Sequence, residues 1–260
     1  MATHTNELKP SFRQRLAAGE LLAGTFIKTP TTHGVEIVGA LGYDFVVIDA
    51  EHGALDRAAI DNLLLATRAA GTAGLVRVSS VQSGEIGSAL DCGAAGVLAP
   101  HIASEEQARA LVHAGRFAGG RRGYSGSTRA SEYGGATLWA SVTTQDARTC
   151  LIAMIEDREA LDHIDAIVQV EGIDALFIGR ADLALALQAP SMDAPVLNDA
   201  VARIIAAGRA AGRPICMMVG SAAEAQTMRD QGASAFIIGT DQGFLRTAAR
   251  DALDGVRKLS

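Results

Sequence analysis

Cysteine, aromatic residues and long apolar runs are all scarce in this chain of 260 residues. The 3 cysteines, Cys92, Cys150 and Cys216, form no CxxC pair, which argues against a disulfide framework and a cysteine zinc site and favours a reducing compartment. No apolar run approaches the ~18 residues of a membrane span, and no signal-peptide h-region follows Glu7 and Lys9. We therefore expect a soluble, untargeted cytoplasmic protein.

Positive charge is also in deficit, with 23 Lys and Arg against 29 Asp and Glu. A net charge of −6 disfavours binding to nucleic acid or to anionic membranes. Aromatic residues make up 4% of the chain and glycine occurs 28 times, which fits many short strands and helices better than an all-β sandwich. We expect one domain over residues 1–260, with residues 1–12 frayed, because one α/β barrel fills this length.

Short apolar runs typical of buried parallel strands alternate with helical patterns along the chain. Helices are predicted over 56–70, 104–117, 199–211 and 222–231. Alternation of this kind predicts a parallel sheet, either doubly wound or closed. A count of eight, without a strong GxGxxG after the first strand, favours a (β/α)8 TIM barrel. The eight runs are 22–27, 45–49, 74–78, 96–99, 150–155, 175–178, 214–219 and 235–239.

Two segments stand apart from this alternation. Residues 118–135 read AGGRRGYSGSTRASEYGG and are predicted to form a long loop. Its GGRRG motif is suited to binding a phosphate or carboxylate and equally to a subunit contact. Residues 240–259 are predicted to form a C-terminal helix that packs on its own barrel or on a neighbouring subunit.

Carboxylates follow two of the predicted strands, where the active site of a barrel lies. Glu156 and Asp182 come directly after apolar runs, where an unpaired charge is costly. Two carboxylates and water suit a hard divalent cation such as Mg²⁺ or Mn²⁺. The alternative is that each acid is a helix cap or a salt-bridge partner.

A histidine and an arginine follow two further strands. His52, in the sequence DAEH, is a candidate general base that Asp49 or Asp91 would orient and charge, or else a structural hydrogen-bonding group. Arg77 is suited to stabilising an enolate oxygen, or to pairing with a neighbouring acid. Lys28 is a weak Schiff-base candidate because the sequence indicates no acid to support it. Nucleophile-elbow and Walker A motifs are absent from the sequence.

Several motifs together resemble the HpcH/HpaI family of class II pyruvate aldolases over about residues 20–250. They are FVVIDAEHGALD, VRV, LDCGAAGVLAP, GRRGYSGSTRAS, MIEDREALDHIDAIVQVEGIDALFIGRADLALAL and AFIIGTDQGFLRTAAR. The most specific are D-x-E-H after the second strand and the E…VEGIDALFIGxADL block. Within the family, the likeness is to 4-hydroxy-2-oxoheptanedioate and 2-keto-3-deoxy-sugar-acid aldolases. The resemblance implies a TIM barrel of the phosphoenolpyruvate/pyruvate-binding type.

The resemblance also implies a metal-dependent aldehyde-lyase that acts on small molecules. It would reversibly cleave a 4-hydroxy-2-oxo acid to pyruvate, or a close 2-oxo acid, and an aldehyde. Glu156 and Asp182 would bind Mg²⁺, Mn²⁺ or Co²⁺, and the loop with Gly179, the Ala181 amide and Asp182 would contact the substrate. Family members suggest a homohexamer built as a trimer of dimers, with no nucleic-acid or membrane partner.

The same resemblance assigns the catalytic groups. His52 would be the base, paired with Asp49, and Asp91 would raise the basicity of His52. Arg77 would stabilise the enolate and also contact the substrate. We keep two alternatives open: an acyl-CoA lyase of the citrate-lyase or malyl-CoA-lyase type, and a ligand-binding barrel without turnover.

Two positions depart from the family pattern. Met154 stands where relatives often have a substrate-contacting glutamine, two residues before the metal-binding glutamate. Arg180 stands where the relatives' G-P-A-D-L-S has proline. We expect an altered acceptor aldehyde, more apolar on one side and anionic on another.

Overall fold

A closed barrel of eight parallel strands forms the centre of the computed structural model, which describes residues 10–259. The strands pair in chain order and β8 closes on β1, so the predicted (β/α)8 TIM barrel is confirmed and the doubly wound alternative is wrong. The strands are β1 (Leu22–Ile27), β2 (Phe45–Asp49), β3 (Ala73–Arg77), β4 (Gly96–Ala99), β5 (Cys150–Ile155), β6 (Ala175–Ile178), β7 (Ile215–Val219) and β8 (Ala233–Thr240).

Eleven α-helices lie in the described part of the chain. The prediction over 222–231 matches its helix at both ends, whereas the helix predicted from residue 199 begins at Pro195, because proline is well suited to a first helical turn. The helices are α1 (Phe12–Ala17), α2 (Thr32–Ala40), α3 (Arg57–Ala70), α4 (Ser83–Asp91), α5 (Glu105–Gly115), α6 (Leu138–Arg148), α7 (Arg158–Gln169), α8 (Arg180–Ala186), α9 (Pro195–Ala210), α10 (Ala222–Gln231) and α11 (Asp241–Arg257).

Helix α1 packs against the interior of the barrel. Ser11 caps it, accepting from the Gln14 N–H, and Phe12 and Leu16 are buried among the side chains that fill the barrel. The Phe12 ring lies 5.1 Å from that of Phe45 at the start of β2. The expected fraying is therefore wrong for residues 11 and 12, because capping and burial hold them, and residues 1–9 lie outside the described part. This packing leaves the opposite end of the barrel for the substrate.

The predicted loop at 118–135 is partly helical. A 3₁₀ segment covers Arg129–Gly134 and is kinked at Glu132 and Tyr133, whose φ angles are +52° and +54°. Arg129 donates to the Cys92 carbonyl at 2.7 Å and to Asp61 at 3.0 Å. Helix α6, which follows this segment, was not predicted from the sequence. Its valine and threonines favour helix weakly, and only two of its residues, Ser141 and Gln145, are buried.

Helix α11 confirms the helix predicted over 240–259 and contacts its own barrel. The Asp241 carboxylate accepts the backbone N–H groups of Lys28 and Thr29 just after β1, both at 3.0 Å. The Phe244 ring lies 6.5 Å from the Tyr43 ring. Between residues 10 and 259, we find no helix with the length and apolar character needed to cross a membrane.

Candidate active site

An arginine and an aspartate form a buried ion pair where β2 and β3 end. Asp49 and Arg77 are register partners in these strands, and the Asp49 side chain is 0% exposed. Asp49 accepts from Arg77 Nε at 2.9 Å and from Nη2 at 2.7 Å, and Lys28 Nζ lies 3.0 Å from Asp49 Oδ2. The Arg77 guanidinium also lies 4.7 Å from the Phe26 ring centroid. These contacts hold the arginine in one orientation at the barrel mouth.

The contacts of this ion pair correct two expectations: that Asp49 pairs with the His52 ring, and that Lys28 has no acid beside it. Burial alone would raise the pKa of Asp49, but Arg77, the His52 N–H and Lys28 lower it to about 2, so Asp49 is ionised at neutral pH. The expected pairing with the His52 ring is wrong, because the contact to Asp49 comes from the His52 backbone N–H at 3.1 Å. Lys28 does have an acid partner, and a lysine engaged with a buried carboxylate is not a free nucleophile.

Among residues 10–259, Glu51 is the acid within 4 Å of the His52 ring, and it was not predicted as a site residue from the sequence. Glu51 Oε2 lies 3.7 Å from His52 Nε2 and 3.3 Å from Arg77 Nε. The His52 side chain is 58% exposed, so its imidazole is accessible from the barrel mouth. The signal was present in the DAEH motif, where Glu51 directly precedes the histidine.

Asp91 lies away from this group. It is the last residue of α4, which starts after β3 and runs back to the start of β4. Its Oδ1 accepts from Arg122 Nη2 at 3.1 Å, and the same nitrogen donates to Gln145 Oε1 at 2.8 Å. The expected contact between Asp91 and His52 of the same chain is therefore wrong, because a helix following a barrel strand ends at the opposite face.

Glu156 is a buried acid in the midst of other acids. It directly follows β5, is 2% exposed, and its Oε1 accepts the His101 backbone N–H at 3.0 Å. Burial raises the pKa of Glu156 to about 7; Asp182 and Glu51 add to the rise, while His101 opposes it. His101 Nδ1 lies 3.1 Å from Asp157. A cation beside Glu156 would relieve this unfavourable burial.

Asp182, Gly179 and Arg77 line a cavity of about 420 Å³ at the mouth of the barrel. Asp182 is exposed in the first turn of α8. Across residues 10–259, no three His, Cys, Asp or Glu side chains are grouped closely enough to hold a metal ion. Glu156 and Asp182 interact electrostatically and offer carboxylate oxygens, the donor type that hard divalent cations prefer, so a cation held there would need substrate and solvent oxygens as its other ligands.

Gly179 is predicted to be essential because a Cβ there would lie 2.5 Å from Glu156 Oε2 and 2.8 Å from Glu156 Cβ. Its φ of −82° suits any residue, so the obstacle is contact and not backbone strain. We expect Gly179→Ala to displace Glu156 and to lower both kcat/KM and Mn²⁺ affinity at least tenfold. Steady-state kinetics and a Mn²⁺ titration measure the two effects.

The control is Gly87→Ala in α4, where a Cβ meets nothing within 4 Å. Alanine in a helix interior is favoured over glycine by about 0.5–1 kcal/mol, so this variant should be active and at least as stable as the wild type. Unchanged metal affinity in Gly179→Ala would show that Glu156 is not a ligand.

The two departures from the family pattern lie on the same cavity. Met154 is buried in its wall. Arg180 Nη2 donates to Glu224 Oε1 at 2.5 Å and to the Met218 carbonyl at 3.3 Å. The extra guanidinium is thus engaged by its own chain, which removes the basis for expecting an anionic acceptor.

Comparison with known proteins gives matches along nearly the whole chain. Residues 22–248 match the family model described as HpcH/HpaI aldolase/citrate lyase. The chain is 37% identical over 255 residues to 4-hydroxy-2-oxovalerate aldolase of Novosphingobium aromaticivorans, covering 95% of this chain and 94% of that protein. It is 34% identical over 250 residues to hydroxypyruvate/pyruvate aldolase of Roseovarius nubinhibens, covering 94% and 95%.

A solved structure shares the fold as well. The crystal structure of an HpcH/HpaI aldolase/citrate lyase family protein from Burkholderia cenocepacia J2315 matches with a TM-score of 0.88 and 31% identity, over 94% of this chain and 98% of that one. The family match extends from the first residue of β1 into α11 and therefore includes every strand of the barrel.

Proposed function

Because the chain belongs to the HpcH/HpaI aldolase/citrate lyase family, we propose that it reversibly cleaves a 4-hydroxy-2-oxo acid to an aldehyde and pyruvate or a close 2-oxo acid. Membership makes it an aldolase, a carbon–carbon lyase. The observation that carries the proposed substrate class is the fixed Arg77 guanidinium, which shares one cavity with the carboxylate of Asp182. Such a site can stabilise an enolate oxygen beside a bound cation.

Glu156 and Asp182 would hold the cation, for which Mg²⁺, Mn²⁺ and Co²⁺ are the candidates. When bound, a divalent ion supplies Lewis-acid polarisation of the 2-oxo acid. The buried, acid-rich surroundings of Glu156 support this assignment, since within residues 10–259 its carboxylate has the His101 backbone N–H and ring nearby but no ion pair with a lysine or arginine.

Arg77 would stabilise the enolate that forms when the carbon–carbon bond breaks. Asp49 engages its Nε and Nη2, whereas Nη1 makes no hydrogen bond within residues 10–259 and is available to the cavity. A donor held in place before the reaction stabilises developing charge without reorganisation. The backbone of Gly179 and the Ala181 amide, which line the same cavity, would contact the carboxylate of the substrate.

His52 would take the proton from the C4 hydroxyl group. Its exposed ring lies at the barrel mouth, and Glu51 Oε2, 3.7 Å from His52 Nε2, is positioned to orient it. In the cleavage direction, the C3–C4 electron pair moves into the enolate as the C4 hydroxyl loses its proton and becomes the aldehyde. A proton then adds to the enolate carbon to give pyruvate.

His52→Ala should therefore abolish cleavage yet spare part of the exchange of the pyruvate methyl protons with solvent. The variant leaves the Arg77–Asp49 pair that stabilises the enolate, but removes the base for the C4 hydroxyl. Deuterium uptake into pyruvate, followed by NMR, and an aldol-cleavage assay on the same sample separate the two steps.

Glu51→Gln is the companion variant, because it removes the charge beside the imidazole and retains the side-chain shape. We expect it to slow cleavage less than His52→Ala does. The control is His113→Ala on α5. Equal loss of exchange and cleavage in His52→Ala would show that His52 also governs enolisation, and unchanged cleavage would exclude it as the base.

Domain organisation, cellular location and assembly are part of the same proposal. We propose one functional domain, acting in the cytoplasm as a homo-oligomer, specifically a hexamer built as a trimer of dimers. The three free cysteines agree with a reducing compartment. Leu253 and Val256 of α11 are exposed apolar side chains and would pack on a neighbouring subunit. Size-exclusion chromatography with light scattering tests the assembly.

A further inference from the structure

One wall of the active-site cavity is apolar and reaches the Arg77 guanidinium at Phe26, whose ring centroid lies 4.7 Å away. It is formed where β1, β5, β6 and β7 end, together with one residue after α8. Its larger apolar side chains are Phe26, Met154, Phe177, Ile178, Met192, Met218 and Val219. Three of these seven are methionines, whose unbranched side chains adapt to ligands of differing shape. Met218 and Met192 are 39% and 45% exposed, so their surfaces are open to a ligand.

The charged groups along this wall are already paired with one another. Glu224 accepts from Arg180 Nη2 at 2.5 Å through Oε1 and from the Gly220 N–H at 2.6 Å through Oε2. Arg180 Nε is buried without a hydrogen-bond partner among the described residues and has no surface to offer a ligand. Arg77 donates Nε and Nη2 to the buried Asp49, and its remaining Nη1 is the donor assigned to the enolate oxygen. A carboxylate on the acceptor chain would therefore lose its hydration while the arginines along this cavity are already engaged by Glu224, Asp49 and the enolate.

We infer that the acceptor aldehyde carries an uncharged, apolar chain that packs against Met154, Met192 and Met218. The inference rests on the aldolase function proposed above and specifies its substrate class. In the synthetic direction, the enolate carbon of pyruvate bonds to the aldehyde carbon. The pyruvate methyl group loses one proton and the aldehyde oxygen gains one, so no oxidant or reductant is needed. Met218 and Met154 are then specificity-determining residues.

The test compares two aldehydes of similar length, pentanal and 4-oxobutanoate, as acceptors for pyruvate in the presence of Mn²⁺. We expect kcat/KM for pentanal to exceed that for 4-oxobutanoate at least tenfold. Deuterium exchange into pyruvate without any aldehyde is measured first, because it reports the donor half of the reaction alone. Equal or greater activity with 4-oxobutanoate, in an enzyme that exchanges pyruvate protons, would overturn the inference and leave the aldolase proposal standing. An enzyme with neither exchange nor addition would overturn both.

Met218→Gln places an amide on the wall with little change in size. Since Met218 is partly exposed, the substitution should be tolerated, and we expect the ratio of kcat/KM for pentanal to that for 4-oxobutanoate to fall at least fivefold. Leu41→Gln is the control, because Leu41 is 73% exposed at the end of α2, away from the cavity. A ratio that is the same in Met218→Gln and the wild type would exclude Met218 from acceptor recognition.

Discussion

Replacing Arg77 with alanine is expected to lower kcat by about 10²–10³-fold, the range found when a donor to a developing oxyanion is removed. The enolate charge grows along the reaction coordinate, so the loss should appear in kcat and in kcat/KM together. Steady-state cleavage kinetics with a 4-hydroxy-2-oxo acid measure both. A change confined to KM would make Arg77 an anchor for the substrate carboxylate and not a stabiliser of the enolate.

The structure also predicts a cost in stability for this variant, because Asp49 loses its bidentate partner. Removing one member of a buried pair typically destabilises a protein by about 3–5 kcal/mol, and the contact with Lys28 Nζ at 3.0 Å should reduce that cost. Urea unfolding must therefore accompany the kinetics. Arg77→Lys is the second variant, since it retains a charge but not the two parallel hydrogen bonds. It should recover more of the stability than of the activity.

Chelation of divalent ions should reduce activity to the background level, and added Mg²⁺, Mn²⁺ or Co²⁺ should restore it. Glu156→Gln should reproduce the loss at any metal concentration, because it removes one of only two protein carboxylates assigned to the ion. Isothermal titration with Mn²⁺ and a cleavage assay after dialysis against EDTA are the measurements.

The matched control is Glu159→Gln, a change of the same kind three residues further along, in the exposed first turn of α7. It should leave metal affinity and activity as in the wild type. Full turnover by the wild-type enzyme in excess chelator would overturn the metal assignment, and wild-type Mn²⁺ affinity in Glu156→Gln would make that acid structural.

The strands and the charged residues at their ends could be predicted from the sequence because both depend on local pattern. Strands buried on both faces appear as unbroken apolar runs, and a charge directly after such a run is conspicuous. All eight predicted runs correspond to strands, with shifts of at most two residues at their ends. Glu156 and Asp182 were selected by this signal, whereas Arg77 lies within its predicted run, 74–78, and was selected as the charged residue near the end of that run.

Contacts that depend on distant segments were not predictable in this way. Asp91 bonds to Arg122, 31 residues further along, and nothing in the local sequence around either residue indicates that pairing. Asp49 and His52 are three residues apart. At this spacing Asp49 can contact either the ring or the backbone N–H of His52, so the sequence could not distinguish the two contacts. Helix α6 was not predicted because its polar sequence gives only a weak helical signal. It is held in place by hydrogen bonds that its buried Gln145 makes with Arg122 and Ser131, which are distant in sequence.

The separation of the charged and apolar walls has a consequence for how this enzyme could diversify. The groups assigned to enolate formation are on β2, β3 and the segments after β5 and β6, whereas Met218 and Val219 belong to β7 and Met192 follows α8. A substitution at the end of β7 can alter the acceptor without disturbing the Arg77–Asp49 pair. New acceptors could thus arise by single changes on one side of the mouth, while the steps common to every substrate are preserved on the other.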